Sequence, residues 1–258
     1  MTVLAVIPAR LAATRLPNKP LRLLGGVPLV VRVWERVVAL GVAQRVLIAC
    51  DHADVLAVAR AAGAEAVLTR ADHPSGTDRV AEAVQGMHAD TIVLNVQGDE
   101  PFVSREALEG AVAMVRAGSD IGTACVPCGA ADAANPNVVK VVRTDTGRAM
   151  YFSRAAIPAL RDVSDAPVRD ALLLRHVGVY AYTPAALAQW VSWPVHPLEA
   201  SERLEQLRPL AHGLSIGVAL VTHAGETGID TEADLLAANS RWTAFAAADA
   251  PHLEGVPS

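Results

Sequence analysis

Short apolar runs alternate with longer amphipathic stretches through the first half of the chain. The runs VLAVI, RVLIAC and TIVLNV, beginning at Val3, Arg45 and Thr91, have the length and β-branched content of buried strands. Apolar residues recur with the helical period between them, which predicts helices over residues 28–40, 53–62, 77–87 and 105–117. This alternation predicts an α/β fold of right-handed βαβ units, with a mostly parallel sheet covered by helices on both faces.

The pattern changes after Gly122. Strand-like runs at 138–144, 149–153 and 174–182 follow one another through turns or a polar loop, which is typical of a mixed or antiparallel lobe. Beyond them we expect helices at 183–191 and 197–211, a strand at 214–221, and a last helix that starts at Thr231 with the capping box TEAD. The tail after Ala247 is expected to fray. We predict a single domain over 1–258, with a core at about 1–122 and 213–246 and an inserted lobe at about 123–212.

Composition and charge exclude several classes of protein. The 258 residues are 52% apolar, enough for a sizeable core, and the net charge of -5 without a long basic run argues against nucleic-acid and anionic-membrane partners. No run approaches the ~18 to 20 apolar residues of a membrane span. The first residues lack the basic start and cleavage site of a signal peptide, and we therefore expect a cytoplasmic protein.

The cysteines are Cys50, Cys125 and Cys128, and the last two form the motif CVPC. CVPC matches half of a zinc or redox site, but the sequence has no second ligand pair at suitable spacing. We expect ordinary buried thiols.

The segment IPARLAATRLPNKPL, residues 7–21, carries three cations and three prolines. Proline lacks the N–H that a helix or inner strand needs, so we expect a loop at the carboxyl end of the first strand, where open α/β sheets bind ligands. The chain lacks both GxxxxGK[ST] and GxGxxG. Arg10, Arg15 and Lys19 would therefore bind phosphates through their side chains, unless the segment is only a solvated surface loop.

Three further motifs carry candidate chemistry. In NVQGDEP, Asp99 follows the strand that starts at Thr91 and is a candidate Mg²⁺ ligand beside a phosphate site, although this turn can also simply end a strand. In HPSGTDR, Ser75 is a candidate helix N-cap, and the N–H groups behind it suit a base edge or a phosphate. In GETGIDT, Asp230 either reaches the same metal as Asp99 or only precedes the cap of the last helix.

The joint order and spacing of these motifs closely resemble the CMP-Kdo synthetase family, the 3-deoxy-manno-octulosonate (Kdo) cytidylyltransferases. The resemblance extends over most of residues 7–231. The blocks that carry it are IPARLAATRLPNKPL, ACDHADV, TRADHPSGTDR, NVQGDEP, NPNVVKVV, YFSRAAIP, LRHVGVYAY, PLEASERLEQLR and GIDT. It implies the Rossmann-like nucleotide-diphospho-sugar transferase fold. It also implies the Mg²⁺-dependent reaction of CTP with Kdo, giving CMP-Kdo and pyrophosphate for lipopolysaccharide synthesis, and a homodimer formed through the inserted lobe.

The resemblance also implies roles for individual residues. In this family's mechanism the anomeric hydroxyl of Kdo attacks the α-phosphorus of CTP, and Lys19, Arg15 and Asp99 would be catalytic. Nucleotide contacts are implied for Pro8, Arg10, Arg15, Lys19, Ser75, Gly76, Arg79 and Gln97; sugar contacts for Gln97, Arg154, His176, Tyr180, Glu199 and Glu202; and metal ligation for Asp99 and Asp230.

The sequence departs from the family pattern at three positions. Ala13 and Asn18 stand where Ser and Gly are usual, and Ala159 replaces a familiar tryptophan, which puts part of the sugar-side packing in doubt. Because Asn tolerates positive φ almost as well as Gly, we expect the turn at Asn18 to survive.

Other functions remain possible from the sequence. The sequence does not distinguish an enzyme for Kdo from one for 8-amino-Kdo or a sialic-acid-like nonulosonate, because these sugars differ in too few groups. A catalytically silent regulator is disfavoured because Lys19, Asp99 and Asp230 are all present, and a dinucleotide oxidoreductase because GxGxxG is absent. Trp190 and Trp193 would supply either an apolar patch for a dimer or simply core.

Overall fold

The protein is described here by a computed structural model that covers the backbone of residues 1–12, 15–226 and 228–253, and their side chains as far as residue 246. Ala13, Thr14, Thr227 and residues 254–258 lie outside the described residues. The chain forms two compact units, one from Met1–Arg105 together with the segment that begins at Gly225, and one from Glu106–Ala224. The predicted insert at about 123–212 lies within the second unit.

The first unit is built on a parallel sheet with the strand order β6-β1-β4-β5. Its middle strand β1 is buried from Val3 to Ala9, which explains why the sequence there is an almost continuous apolar run. The strands are β1 (Thr2–Ala9), β2 (Leu23–Leu24), β3 (Val27–Pro28), β4 (Arg45–Cys50), β5 (Glu65–Leu68) and β6 (Thr91–Asn95); β2 and β3 form a separate antiparallel hairpin. The helices are α1 (Leu29–Leu40), α2 (Ala53–Ala61), α3 (Gly76–Ala83) and α10 (Glu232–Leu253), with one 3₁₀ turn at Lys19–Leu21.

The second unit contains a mixed sheet. Its strand β7 pairs in parallel with β11 and antiparallel with β10, while β8 pairs antiparallel with both β10 and β9. The strands are β7 (Ile121–Pro127), β8 (Lys140–Arg143), β9 (Ala149–Ser153), β10 (Leu174–Tyr182) and β11 (Ile216–Leu220). The helices are α4 (Arg105–Arg116), whose first residue belongs to the first unit, α5 (Ala130–Ala134), α6 (Ala166–Asp170), α7 (Pro184–Ser192), α8 (Pro197–Glu202) and α9 (Leu207–Ala211), with a 3₁₀ turn at Val163–Asp165.

The predicted α/β architecture is confirmed, and the strands and helices named from the sequence are present in the predicted order. The structure also contains elements that were not predicted, among them the strands β5 and β7. In β7, with the sequence IGTACVP, the β-branched Ile, Thr and Val are interrupted by Gly, Ala and Cys, so no continuous β-branched run marks the strand. Gly122 is required there because a Cβ would lie 1.9 Å from the carbonyl oxygen of Ala111 in α4.

One prediction about the helices is wrong. The single helix expected over 197–211 is broken into α8 and α9 by Arg203, which has a φ of 55°. The break lets Arg208 return to Glu199, whereas nine residues of continuous helix would separate them by about 13 Å. The backbone of α10 continues to Leu253, and the rest of the tail that was expected to fray lies outside the described residues.

Candidate active site

The opening loop ends in a tight turn that points Lys19 inward. Asn18 has a φ of 54° and a ψ of 32°, which confirms the expectation that it tolerates the left-handed conformation usual for glycine. The next three residues form the 3₁₀ turn, and its Pro20 is buried. Because Leu16 is also buried, both sides of the turn are anchored to the core and Lys19 is held beside the sheet.

Lys19 contacts two carboxylates that are far apart in the sequence. Its Nζ forms ion pairs with Oδ2 of Asp99 and, at 2.9 Å, with Oδ1 of Asp230. The guanidinium of Arg15 lies 3.0 Å from the other oxygen of Asp230. The structure therefore brings together four residues that the sequence analysis had assigned to one site.

Asp230 is positioned from both sides. The N–H of Ile229 donates to the carbonyl of Asp99 at 2.9 Å, which lays this segment against the end of β6. The predicted capping box is present: Thr231 Oγ1 accepts from the N–H of Asp234 at 3.2 Å, and Asp234 Oδ2 accepts from the N–H of Thr231 at 2.8 Å and of Asp230 at 3.1 Å. Asp234 Oδ2 also accepts a hydrogen bond from the Thr231 hydroxyl at 2.8 Å. This bond above all, together with those from the two backbone N–H groups, lowers the pKa of Asp234, so its carboxylate stays ionised at neutral pH.

Glu100 is a residue at this site that the sequence analysis missed. Glu100 is half-buried, and desolvation, followed by the charge of the neighbouring Asp99 carboxylate, raises its pKa to about 8. Its position directly after Asp99 in the motif GDEP was the available signal.

Pro8, Gly76 and Gln97 lie next to one another at the carboxyl edge of the sheet. A Cβ built on Gly76 would lie 3.5 Å from Cγ of Pro8 and 3.7 Å from Oε1 of Gln97. Ser75 is the predicted N-cap of α3, because its Oγ accepts from the N–H of Asp78 at 3.2 Å. The exposed Arg10 donates to the carbonyl of Pro74 at 3.3 Å, so it borders the same surface.

Arg79 is placed differently from the other predicted nucleotide ligands. Its side chain is completely buried, and its terminal nitrogens donate to Thr69 Oγ1, to the carbonyl of Arg70 at 3.0 Å and to Asp51 at 3.4 Å. Desolvation lowers its pKa, although Asp51 opposes this effect. Asp51 also accepts from the N–H of Leu11 at 2.9 Å, so Arg79 and Asp51 connect α3 to the opening loop from inside the protein.

His176 and Tyr180 lie on β10 in the second unit. The imidazole of His176 is enclosed by Thr123, whose Oγ1 is 2.9 Å from Nε2, and by the rings of Phe152 and Tyr180 at 5.0 and 5.5 Å. Desolvation by these neighbours lowers the pKa of His176 to about 3, so the ring is neutral at physiological pH. A contact with an anionic sugar would therefore be a hydrogen bond rather than an ion pair.

The lowered pKa of His176 predicts a pH effect on stability. The pKa of His176 is lower in the folded chain than in the unfolded chain, so the unfolded chain binds the extra proton and stability falls as pH drops below about 6.5. Between pH 7 and pH 5, the free energy of unfolding of the wild type should fall by about 2 kcal/mol more than that of His176→Gln. Parallel urea titrations at the two pH values measure the difference, and identical pH dependence would show that His176 titrates normally.

The remaining sugar-side candidates already have protein partners. Glu199 is buried and forms a bidentate ion pair with Arg208 at 2.6 and 2.7 Å. Glu202 accepts from Ser153 Oγ at 2.6 Å and from the N–H of Arg154 at 2.9 Å. Trp190, on the same unit, is core, and Trp193 stacks on His212 with a ring separation of 4.3 Å.

The cysteines are all free thiols. Cys50 and Cys125 are buried as predicted, and burial raises the pKa of Cys125 to about 11, while Cys128 is only half-buried. Among the side chains of residues 1–12, 15–226 and 228–246, no group of three or more His, Cys, Asp or Glu residues is placed to hold a metal ion.

Comparison with known proteins identifies the family. A family model described as cytidylyltransferase matches residues 4–216. A 3-deoxy-manno-octulosonate cytidylyltransferase of Gemmatimonas aurantiaca is 63% identical over 252 residues, covering 96% of this chain and 97% of the relative. The chain belongs to the 3-deoxy-manno-octulosonate cytidylyltransferase family.

Other members and solved structures agree with this assignment. A 3-deoxy-manno-octulosonate cytidylyltransferase of Herminiimonas arsenicoxydans is 48% identical over 92% of this chain and 97% of its own. A solved structure of CMP:2-keto-3-deoxy-manno-octonic acid synthetase complexed with CTP superimposes with a TM-score of 0.87 at 36% identity, over 95% of this chain and 100% of that one. A 4-diphosphocytidyl-2C-methyl-D-erythritol synthase from Anaerococcus prevotii, with a TM-score of 0.60 at 14% identity over 94% and 98% of the two chains, has the same fold.

Membership of this cytidylyltransferase family makes the protein a nucleotidyltransferase. Of the three positions that depart from the family pattern, Asn18 keeps the expected turn, Ala159 lies at an exposed position, and Ala13 is outside the described residues. Throughout the part of the chain that the structure describes, every helix is too short or too polar to cross a membrane.

Proposed function

We propose that the protein converts CTP and Kdo into CMP-Kdo and pyrophosphate, for lipopolysaccharide biosynthesis. The observation that carries this proposal is the cluster of Arg15, Lys19, Asp99 and Asp230 at the carboxyl edge of the parallel sheet. A regulator that only bound nucleotide would not need two carboxylates and two cations at one point. The identities of 63% and 48% to cytidylyltransferases named for this substrate support the choice of sugar.

The nucleotide is proposed to bind along the edge formed by β1, β6 and the start of α3. Arg10, Arg15 and Lys19 would contact the triphosphate, because this sheet edge has no glycine-rich phosphate loop and side-chain cations must supply the charge. The cytidine would lie against Pro8, Ser75, Gly76 and Gln97. Because Gly76 has no side chain, the nucleotide can approach the backbone there closely. Arg79 would support this surface from below, since its guanidinium is enclosed by protein groups.

Mg²⁺ is the cofactor that the donor set fits. Asp99 and Asp230 supply hard oxygen donors, and both contact one ammonium nitrogen, so a single cation can reach both. Two carboxylates are typical for Mg²⁺, which completes its shell with water and substrate phosphates. When bound, the ion would neutralise phosphate charge and lower the pKa of an attacking hydroxyl.

The chain's own residues would then act by positioning and charge neutralisation. The anomeric hydroxyl oxygen of Kdo bonds to the α-phosphorus of CTP, the bond from that phosphorus to the oxygen bridging to the β-phosphorus breaks, and the hydroxyl proton is released with pyrophosphate. Lys19 and Arg15 offset the charge that develops on the leaving pyrophosphate. Asp99 and Asp230 keep the two cations oriented toward it.

The sugar is proposed to bind in the second unit. Arg154, Tyr180, His176 and Glu202 would contact its carboxylate and hydroxyl groups, while the carboxylate of Glu199 is already paired with Arg208. We also propose a homodimer formed through this unit, since Val163, Val168 and Leu172 expose apolar side chains at 86%, 70% and 56%. The reaction would take place in the cytoplasm, where CTP is available.

Pyrophosphate release with CTP and Mg²⁺ tests the function directly, with Kdo, 8-amino-Kdo and N-acetylneuraminate as alternative acceptors. Release confined to Kdo is the expected result. Release with another acid sugar would change the substrate, and CTP binding without release for any acceptor would favour the silent regulator.

Two glycines at the nucleotide edge give a matched pair of variants. In Gly98→Ala the Cβ would lie 2.6 Å from the carbonyl oxygen of Pro8, so the backbone must shift; we expect a loss of ~1–3 kcal/mol in the free energy of unfolding. In Gly76→Ala the Cβ makes only ordinary contacts, and stability should change by less than ~0.5 kcal/mol. Its methyl group nevertheless stands where the nucleotide would approach, so the KM for CTP should rise at least ~10-fold. A normal KM for CTP in Gly76→Ala would show that the nucleotide does not bind against Gly76.

A further inference from the structure

Lys140 is a buried cation that none of the preceding roles uses. Its side chain on β8 is completely buried, and Nζ donates to the carbonyl oxygens of Asn135 at 3.0 Å, Val138 at 2.6 Å and Arg154. The three N–H groups of an ammonium are thus all used on backbone carbonyls. Burying a charged side chain costs free energy that an apolar side chain of similar size would not cost. The three hydrogen bonds to the carbonyls offset this cost and account for a lysine at this position.

The backbone of Arg154 connects Lys140 to Glu202. Its carbonyl accepts from Lys140, while its N–H donates to Glu202 Oε2 at 2.9 Å. The hydroxyl of Ser153 donates to the other oxygen of Glu202 at 2.6 Å. Removing the ammonium would therefore release one end of the segment that orients Glu202.

The side chain of Arg154 is held by the same segments. Its Nε donates to the carbonyl of Glu202 at 2.8 Å, and its terminal nitrogens donate to the carbonyls of Pro136 at 3.0 Å and Arg203 at 3.4 Å. Pro136 lies between Asn135 and Val138, the residues whose carbonyls Lys140 holds. These bonds use three of the five guanidinium N–H groups, so one on each terminal nitrogen remains to bind a carboxylate.

We propose that Lys140 is a positioning residue for the anionic sugar. By holding three carbonyls, its ammonium fixes the loop at 135–138 and the backbone of Arg154, and thereby the orientation of the Arg154 guanidinium and the Glu202 carboxylate. It sets the affinity for the sugar without contacting it. The inference rests on the proposed function, in which Arg154 and Glu202 contact Kdo.

Steady-state kinetics of Lys140→Met test the proposal. The substitution keeps an unbranched side chain that is one atom shorter and removes the three donors. The KM for Kdo should rise at least ~10-fold, the scale on which partners that orient a binding group act, while the KM for CTP changes less than ~3-fold. A KM for Kdo within twofold of the wild-type value would overturn the proposal.

Val141→Ala is the matched control. Val141 is the next residue of β8 and is equally buried, but its loss removes packing and no hydrogen bond. It should lower Tm and leave the KM for Kdo unchanged. If it raises the KM for Kdo as much as Lys140→Met at a similar loss of Tm, general destabilisation explains the effect and the proposal is wrong.

Ser153→Ala provides a second test of the proposal in case the Lys140→Met protein does not fold. It removes one hydrogen bond to Glu202 at the far end of the same network, and a rise in the KM for Kdo without a change in the KM for CTP is expected. An unchanged KM for Kdo in Ser153→Ala would show that orienting Glu202 does not matter, which also overturns the proposal. Failure of the proposed function is separate, because the wild-type protein would then release no pyrophosphate with Kdo.

Discussion

Asp99→Asn should lower kcat/KM for pyrophosphate release at least ~100-fold, the scale of losing one electrostatic contact that acts in the transition state. The substitution keeps the size of the side chain and one oxygen, but it removes the charge that faces Lys19 and that would help hold Mg²⁺. The Mg²⁺ concentration at half-maximal rate should rise as well. Initial rates with CTP varied at saturating Kdo and Mg²⁺ measure kcat/KM. A Mg²⁺ series at saturating CTP and Kdo measures the half-maximal concentration.

Glu232→Gln provides the control for Asp99→Asn. Glu232 is an acidic residue at the start of α10 that pairs with Arg22 at 2.7 Å, outside the cluster around Lys19. Its neutralisation should leave kcat/KM within ~3-fold of the wild type, since exposed ion pairs contribute little. If Asp99→Asn behaves like Glu232→Gln, Asp99 has no part in the reaction.

Lys19→Met should also lower kcat/KM at least ~100-fold, because the ammonium would offset charge on the phosphates that leave. The side chain is only 13% exposed and is held by Asn18, Pro20 and two carboxylates, so a flexible neighbour cannot replace it. Most of the loss should appear in kcat if Lys19 stabilises the transition state, and in the KM for CTP if it only binds the substrate.

Arg22→Met is the corresponding control, since Arg22 follows the same 3₁₀ turn and pairs with Glu232. It removes a cation three residues away without affecting the cluster. The double variant Lys19→Met, Asp99→Asn should lose much less than the product of the two single losses, because both residues act as one unit. Full additivity would show that Lys19 and Asp99 act independently.

The sequence predicted much of the candidate site because its parts lie at the ends of predictable elements. Asp99 follows a clear strand, Ser75 starts a clear helix, and the capping box at Thr231 marks the start of α10. Carboxyl ends of parallel strands meet at one edge, so periodicity was enough to expect Asp99 and the opening loop together. The position of Asp230 beside Asp99 depends on the hydrogen bond between the N–H of Ile229 and the carbonyl of Asp99, and no local sequence pattern predicts this contact.

The sequence was a poorer guide to which groups surround an individual side chain. Arg79 was expected at the surface that contacts cytidine, and its guanidinium is instead enclosed beside Asp51. Glu199 was expected to contact sugar and is paired with Arg208 across a break in the helix. In both cases the partner lies many residues away, and its approach depends on how the chain packs.

The sequence by itself determined the class of fold, the order of the main elements, the family and the positions of the motifs, because local periodicity, caps and turns are encoded in neighbouring residues. Only the tertiary structure decided which charges meet. It joined Lys19 to Asp99 and Asp230, buried Arg79, placed the half-buried His176 beside Thr123 and Phe152, and surrounded Lys140 with three carbonyls. Desolvation and charge pairing depend on distances across the fold, and these distances arise only when the elements pack.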